Sequence, residues 1–217
     1  MSVSSSHWHL VVGETEGRTE VTVHGPETRP TKTSVPPGAT WVGIRFHLGV
    51  GLEGLSVAGL VDRGVTLPPA GDRSFWFKGT AWPRPTFDNA EGLVEQLIRE
   101  DLIGSEPVVA AALRGTGVDL SLRTVQRRFL AATGLTRRDV RQIERARMAG
   151  VRLGEGAAPA EVATELGYFD QPHLTRSLRR FLGQTPAELA DPRRGEQLSL
   201  LDTTDAAWSP RVPFEQA

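Results

Sequence analysis

No cysteine occurs among the 217 residues, which excludes disulfides, zinc–thiolate sites, iron–sulfur clusters and a cysteine nucleophile. No apolar run reaches the eighteen residues of a membrane-spanning helix, and the N-terminal MSVSSSHWHL lacks the basic-then-apolar order of a secretory signal. A cytoplasmic protein without a membrane partner is therefore expected. A Gly-rich phosphate loop and a plausible Ser/His/Asp constellation are also missing, so neither an enzyme nor a cofactor is expected. The central block, residues 106–194, contains no lysine: all 15 of its basic residues are arginine. Arginine favours bidentate contact with bases and phosphates over a diffuse cationic cloud.

What is present fits one large or two small domains, with 39% hydrophobic and 24% charged residues. The overall charge of −1 conceals an uneven distribution. Residues 1–105 hold 9 basic against 12 acidic groups, residues 106–194 hold 15 against 10, and residues 195–217 hold 1 against 4. A basic segment between acidic ones suits a nucleic-acid-binding module joined to one that must not bind nucleic acid.

The informative stretch is GYFDQPHLTRSLRRFLGQTP, residues 167–186. Asp170 precedes a first turn that tolerates proline. Leu174, Leu178 and Phe181 follow at helical spacing, predicting a helix from about Gln171 to Leu182 that Gly183 stops. Upstream, Pro159 to Leu166 reads as a short helix with Val162, Ala163 and Leu166 inward. Gly167 permits a tight turn between the two, the shape of a helix-turn-helix. The second helix leaves Gln171, His173, Arg176, Arg179 and Arg180 outside its apolar stripe. Gln can pair with adenine, Arg with guanine or phosphate. The bland reading of such a face is a solvated surface.

This word resembles the C-terminal signature of AraC-type bacterial transcription regulators. LSLRTVQRRFLAATGLT, residues 120–136, resembles the first recognition helix of the same family. That helix is expected from Leu122 to Ala132, with Ser121 as cap, Gly134 as stop, and Leu122, Val125, Phe129 and Leu130 inward. The resemblance implies that Arg123, Gln126 and Arg127 of the first helix, and Gln171, His173 and Arg176 of the second, face base edges. It further implies Arg128, Arg179 and Arg180 as phosphate anchors, with hydroxyl or backbone contacts from Ser121, Thr175 and Thr185. The intervening helix, Arg138 to Leu153, would span roughly 24 Å at ~1.5 Å per residue. On this model it spaces two recognition helices into major-groove segments one DNA turn, roughly 34 Å, apart. Double-stranded DNA is the implied partner, with RNA polymerase, a small-molecule effector and a second copy as further candidates. Two departures stand out: only Gly115 to Leu120 separates the short helix Pro107 to Arg114 from Ser121, and Pro172 replaces a residue that is usually polar.

The fold class expected is α+β: a partial cupin-like β domain, then an all-α domain with two helix-turn-helix units joined by a linker helix. Boundaries are placed at residues 1–104, 105–190 and 191–217, the last a loosely ordered tail. Trp8 to Val12 and Thr19 to His24 read as a hairpin, Trp41 to Phe46 and Ser74 to Phe77 as strands, and Leu52 to Val61 as a short helix. The words SSHWHLVV, HGPETR and WVGIRFHLG resemble the cupin-like effector or dimerisation domain of AraC-type regulators, with the usual first strands not preceding them. Asp88 and Asn89 cap a helix to about Ile103, a sheet-packing element or a dimer face, and Gly104 to Pro107 is a break. His7 and His9, with Glu14 further on, form an H-x-H pair. On one strand it either chelates a metal, as in enzymatic cupins, or presents two part-exposed histidines. The alternatives to a DNA-binding regulator are accordingly a cupin-like metal- or small-molecule-binding protein or enzyme, and a partner-binding regulator that has lost tight DNA binding. In the tail, QLSLL, residues 197–201, reads as an edge strand or a sliding-clamp-binding peptide.

Overall fold

The structure is a computed structural model in which residues 2–31, 37–116 and 119–191 are described. The acidic tail with its QLSLL word lies outside the described residues. Along the chain run β1 (His9–Thr15), β2 (Arg18–His24), β3 (Thr40–Arg45), β4 (Val50–Leu52), a 3₁₀ turn (Val57–Leu60), β5 (Gly64–Leu67), β6 (Pro69–Gly71), β7 (Ser74–Phe77) and β8 (Thr80–Pro83). Then follow α1 (Ala90–Arg99), β9 (Ile103–Ser105), α2 (Pro107–Arg114), α3 (Leu122–Thr133), α4 (Arg137–Gly154), α5 (Pro159–Glu165), α6 (Gln171–Phe181) and α7 (Pro186–Leu189). Strands first and helices after make the chain α+β.

The described chain packs as two compact units that divide within α4, between Ile143 and Glu144. One comprises residues 4–28 and 37–143, the other residues 2–3, 29–31 and 144–191. The boundary read from the sequence, at the Gly104 to Pro107 break, falls between the end of β9 and the start of α2.

In the first unit, β1 and β2 form the expected hairpin, closed by Glu16 and Gly17 at φ 50° and 75°. Two successive left-handed residues match the twist of paired strands, which is why a two-residue connection suffices. The four-stranded sheet has the order β3-β1-β2-β5, all antiparallel. Its buried face carries Leu10, Val12, Val21, Val23 and Ile44, the period-two pattern that the alternation predicts. A second, three-stranded sheet runs β6-β7-β8. Trp8 is buried, stacks on Phe46 with centroids 3.8 Å apart, and donates its indole N–H to the Val50 carbonyl at 2.8 Å.

Several local expectations are corrected here. Leu52 to Val61 is not one helix: β4 ends at Leu52, and only Val57–Leu60 coils, capped by the Ser56 hydroxyl, which accepts from Gly59 N–H at 3.2 Å. Helix α1 ends at Arg99 rather than near Ile103. Asp101 adopts φ 56°, while Leu102 N–H bonds the Leu97 carbonyl at 2.9 Å, closing the helix end as a left-handed cap does. The expected break, Gly104 to Pro107, overlaps the end of β9, which pairs with β4 in the register Leu52↔Ile103. Asn89 does not cap α1 through its side chain: its Oδ1 accepts from Thr86 N–H and its amide donates to the Arg84 carbonyl, at 2.8 and 2.9 Å. His9 opens β1, but His7 lies in the preceding bend, where the Ser5 hydroxyl binds both its N–H and its carbonyl. Among the described residues no cluster of three or more His, Asp or Glu could hold a metal, and no helix is long and apolar enough to cross a membrane.

The second unit is built around Ala149, Leu153, Val162, Ala163, Tyr168, Leu174, Leu178, Leu182 and Leu189. Val3 joins this core from the far N-terminus, next to the bridge between Ser2 and Thr31.

Candidate nucleic-acid interface

Helix α6 starts where the Asp170 carboxylate accepts the His173 N–H at 2.6 Å, satisfying a donor that the helix cannot. Leu174, Leu178 and Phe181 are buried, four and three residues apart. At about 100° per residue, Arg176 lies opposite that stripe, with Pro172 and Arg179 beside it. Gln171, Arg176, Arg179 and Arg180 are all exposed, and no acidic residue occurs within α6. Thr175 is half-buried. The Arg180 guanidinium lies 4.9 Å from the Phe181 ring centroid.

The turn before α6 is held from several sides. Gly167 has φ 68°, and Tyr168 N–H bonds the Ala163 carbonyl at 2.8 Å, closing α5. The buried Tyr168 ring lies under the Arg145 guanidinium, 4.3 Å from the centroid, and Arg145 donates to the Gly167 carbonyl at 3.4 Å. The Tyr168 hydroxyl meets Ser177 of α6 at 3.3 Å. Arg145 and Tyr168 therefore position α6, a role that the sequence reading missed. The signal available was an arginine among the apolar positions of α4 and the chain's single tyrosine.

His173 is part of this brace. Its Nδ1 accepts from Phe169 N–H at 3.3 Å, and its ring meets Tyr168 edge-on at 5.3 Å. The bond uses Nδ1 as acceptor, so the neutral ring carries its proton on Nε2. Half-buried against the turn, His173 is less available to a base than the four exposed side chains.

In the first unit, α3 is capped by Ser121, whose hydroxyl accepts from Thr124 N–H at 3.3 Å, and ends at Gly134 with φ 72°. Val125, Phe129 and Thr133 form its buried line. Leu122 and Leu130, expected inward, are instead 67% and 47% exposed. Leu122 belongs to the first turn, and Leu130 lies on the side of Arg123 and Arg127, one turn beyond the latter. Arg123, Gln126 and Arg127 are exposed.

Arg128 is already engaged. Its Nη2 lies 2.9 and 3.0 Å from the two carboxylate oxygens of Glu106, which also caps α2 by accepting from Val108 N–H at 3.1 Å. With Arg128 44% exposed, the pair contributes no more than about 1 kcal/mol. Glu106→Gln keeps a capping oxygen but removes the competing charge. We expect a stability loss under about 1 kcal/mol and tighter binding to any DNA sequence, with a salt slope steeper by about one. Titration of random-sequence duplex at two salt concentrations checks this; an unchanged slope would mean that Arg128 meets no phosphate.

The Ser121 and Thr185 hydroxyls, candidates for backbone contacts, serve as caps. Thr185 forms a reciprocal capping box with Glu188. Arg152 is paired with Glu155 and Glu165 at 3.0 and 3.3 Å, and hydrogen bonding to those carboxylates raises its pKa further.

Comparison with known proteins locates this geometry. Residues 116–191 match the family model for a helix-turn-helix domain. The HTH-type transcriptional regulator VirS of Mycobacterium tuberculosis is 38% identical over 109 residues, 44% of this chain and 32% of the relative. The HTH-type transcriptional regulator RipA of Corynebacterium diphtheriae is 33% identical over 75 residues, 35% of this chain and 22% of the relative. The matched stretches thus span a third or less of those relatives' own length. No solved structure matches the chain. Its two capped, arginine-faced helices, α3 and α6, both lie within the segment, residues 116–191, that matches the helix-turn-helix domain model.

Proposed function

We propose that the protein is a sequence-specific DNA-binding transcription regulator that inserts α3 and α6 into successive major-groove segments. The observation that carries this reading is α6: an arginine-rich face without acid, opposite a fully buried stripe, on a helix braced at its N-terminus by Tyr168 and Arg145. Recognition helices read base edges from their N-terminal residues, while further cations hold phosphates. Gln171 and Arg176 take the base-reading role in α6, with Thr175 beside them, and Arg123, Gln126 and Arg127 take it in α3. Arg179 and Arg180 hold phosphate, Arg128 does so once released from Glu106, and His173 adds its Nε2–H at the helix edge.

On this reading the β-rich part is a partial cupin-like regulatory domain, and the chain is a cytoplasmic regulator rather than an enzyme. RNA polymerase, an effector and a second copy are its further partners. Fluorescence polarisation against the upstream intergenic DNA and a random duplex, at two salt concentrations, tests the core of it. Tight, sequence-preferring binding is the expected result, and no binding to either duplex would remove the reading. Arg180→Ala is expected to weaken both duplexes alike and flatten the salt slope by about one, as loss of one phosphate contact does; a loss confined to the specific duplex would reassign Arg180 to a base.

A further inference from the structure

Phe169 is 92% exposed, although it sits between the buried Tyr168 and the cap residue Asp170. Its backbone is held: Phe169 N–H donates to His173 Nδ1, and both neighbours are tied to the helix that follows. An aromatic ring is thus fixed at its root and presented to solvent beside the first turn of α6. Pro172, also exposed and three residues on, adds a second apolar surface to that edge. Among the described residues 144–191 the other exposed large apolar side chain is Met148, on α4. Two such side chains do not make the patch, on the order of several hundred Å², that marks a protein interface.

We infer that Phe169, supported by Pro172, reads the 5-methyl group of a thymine at the end of the base-pair set contacted by α6. The inference rests on the DNA-binding reading above and gives it a specificity determinant that makes no hydrogen bond. In the major groove the base edges offer hydrogen-bond donors and acceptors, to which thymine adds its methyl group, and apolar side chains, Phe included, are that methyl's natural partners. N-terminal residues of a recognition helix are those nearest the base edges, and this helix begins with an apolar edge where a polar one would bond a base.

The test starts from a random-sequence duplex library, from which the full chain selects its preferred site. Each thymine of that site is then replaced singly by deoxyuridine, which deletes only the methyl. One replacement is expected to weaken the wild type about fourfold, the worth of one buried methyl-sized group. Phe169→Ser should lose a similar factor on the thymine duplex and bind the thymine and uracil duplexes equally. Phe169→Leu should keep part of the discrimination, and thermal melting of both variants reports their folding independently. Wild-type indifference to every replacement overturns the inference, as does Phe169→Ser with its methyl preference intact. Those outcomes leave sequence-specific binding standing. Failure to select any site removes the DNA-binding reading and the inference with it.

Discussion

Arg176→Ala is expected to cost about 1–3 kcal/mol on the specific site and to relax selectivity at one base pair. Three observations single it out. It lies opposite the buried Leu174, Leu178 and Phe181 stripe and is exposed. It belongs to a helix anchored by Asp170 and braced by Tyr168, so little ordering remains to be done on binding. Among the described residues it has no acidic partner to be stripped off first, unlike Arg128. Arginine engages guanine O6 and N7 through a rigid planar fork, whereas lysine offers a point charge on a flexible stem, so Arg176→Lys should recover charge with only part of the selectivity. Titrations of wild type and both variants on specific and single-mismatch duplexes decide the matter. Equal losses on specific and random DNA would place Arg176 on the phosphate backbone instead.

The second large effect is on stability. Gly134→Ala is expected to cost about 2–5 kcal/mol, from two sources that add. The residue sits at φ 72°, where a side chain meets its own carbonyl, and its Cβ would fall 2.4 Å from Val61 Cγ2 and 2.8 Å from the Ala58 backbone. The glycine therefore lets the C-terminal end of α3 dock on the 3₁₀ turn Val57–Leu60 of the β-rich unit. Gly115, which closes α2, is the control: it has φ 70°, yet a Cβ there meets nothing within 4 Å. Gly115→Ala should cost only the backbone strain, about 1–2 kcal/mol. Urea unfolding of the three proteins reads the difference, and similar losses for both variants would show that α3 is not held against that turn.

The close packing of α3 on the β-rich unit also explains why the chain divides where it does. The sequence places the boundary at the Gly104 to Pro107 break, because glycine and proline punctuate the chain locally. Packing is not local: α2 and α3 lie with the sheet unit, and the compact units part only inside α4.

The sequence by itself determined whatever depends on neighbours along the chain. Asp170 and Ser121 cap α6 and α3 because a cap joins a side chain to an N–H three residues on. Gly134 and Gly183 stop helices because a left-handed φ is a property of one residue. The Leu174, Leu178 and Phe181 stripe was legible because helical period sets which residues share a face. The tertiary structure alone decided what depends on partners far along the chain. Leu122 and Leu130 are exposed because nothing distant among the described residues covers them. Ile103–Ser105 is a strand because β4 lies beside it, 51–55 residues earlier. Val3 joins the core of α5 and α6, and Glu106 occupies Arg128, through contacts that no local pattern announces. The free energy of a cap is set within one turn, whereas that of burial or a non-local pair exists only once the chain has brought its members together.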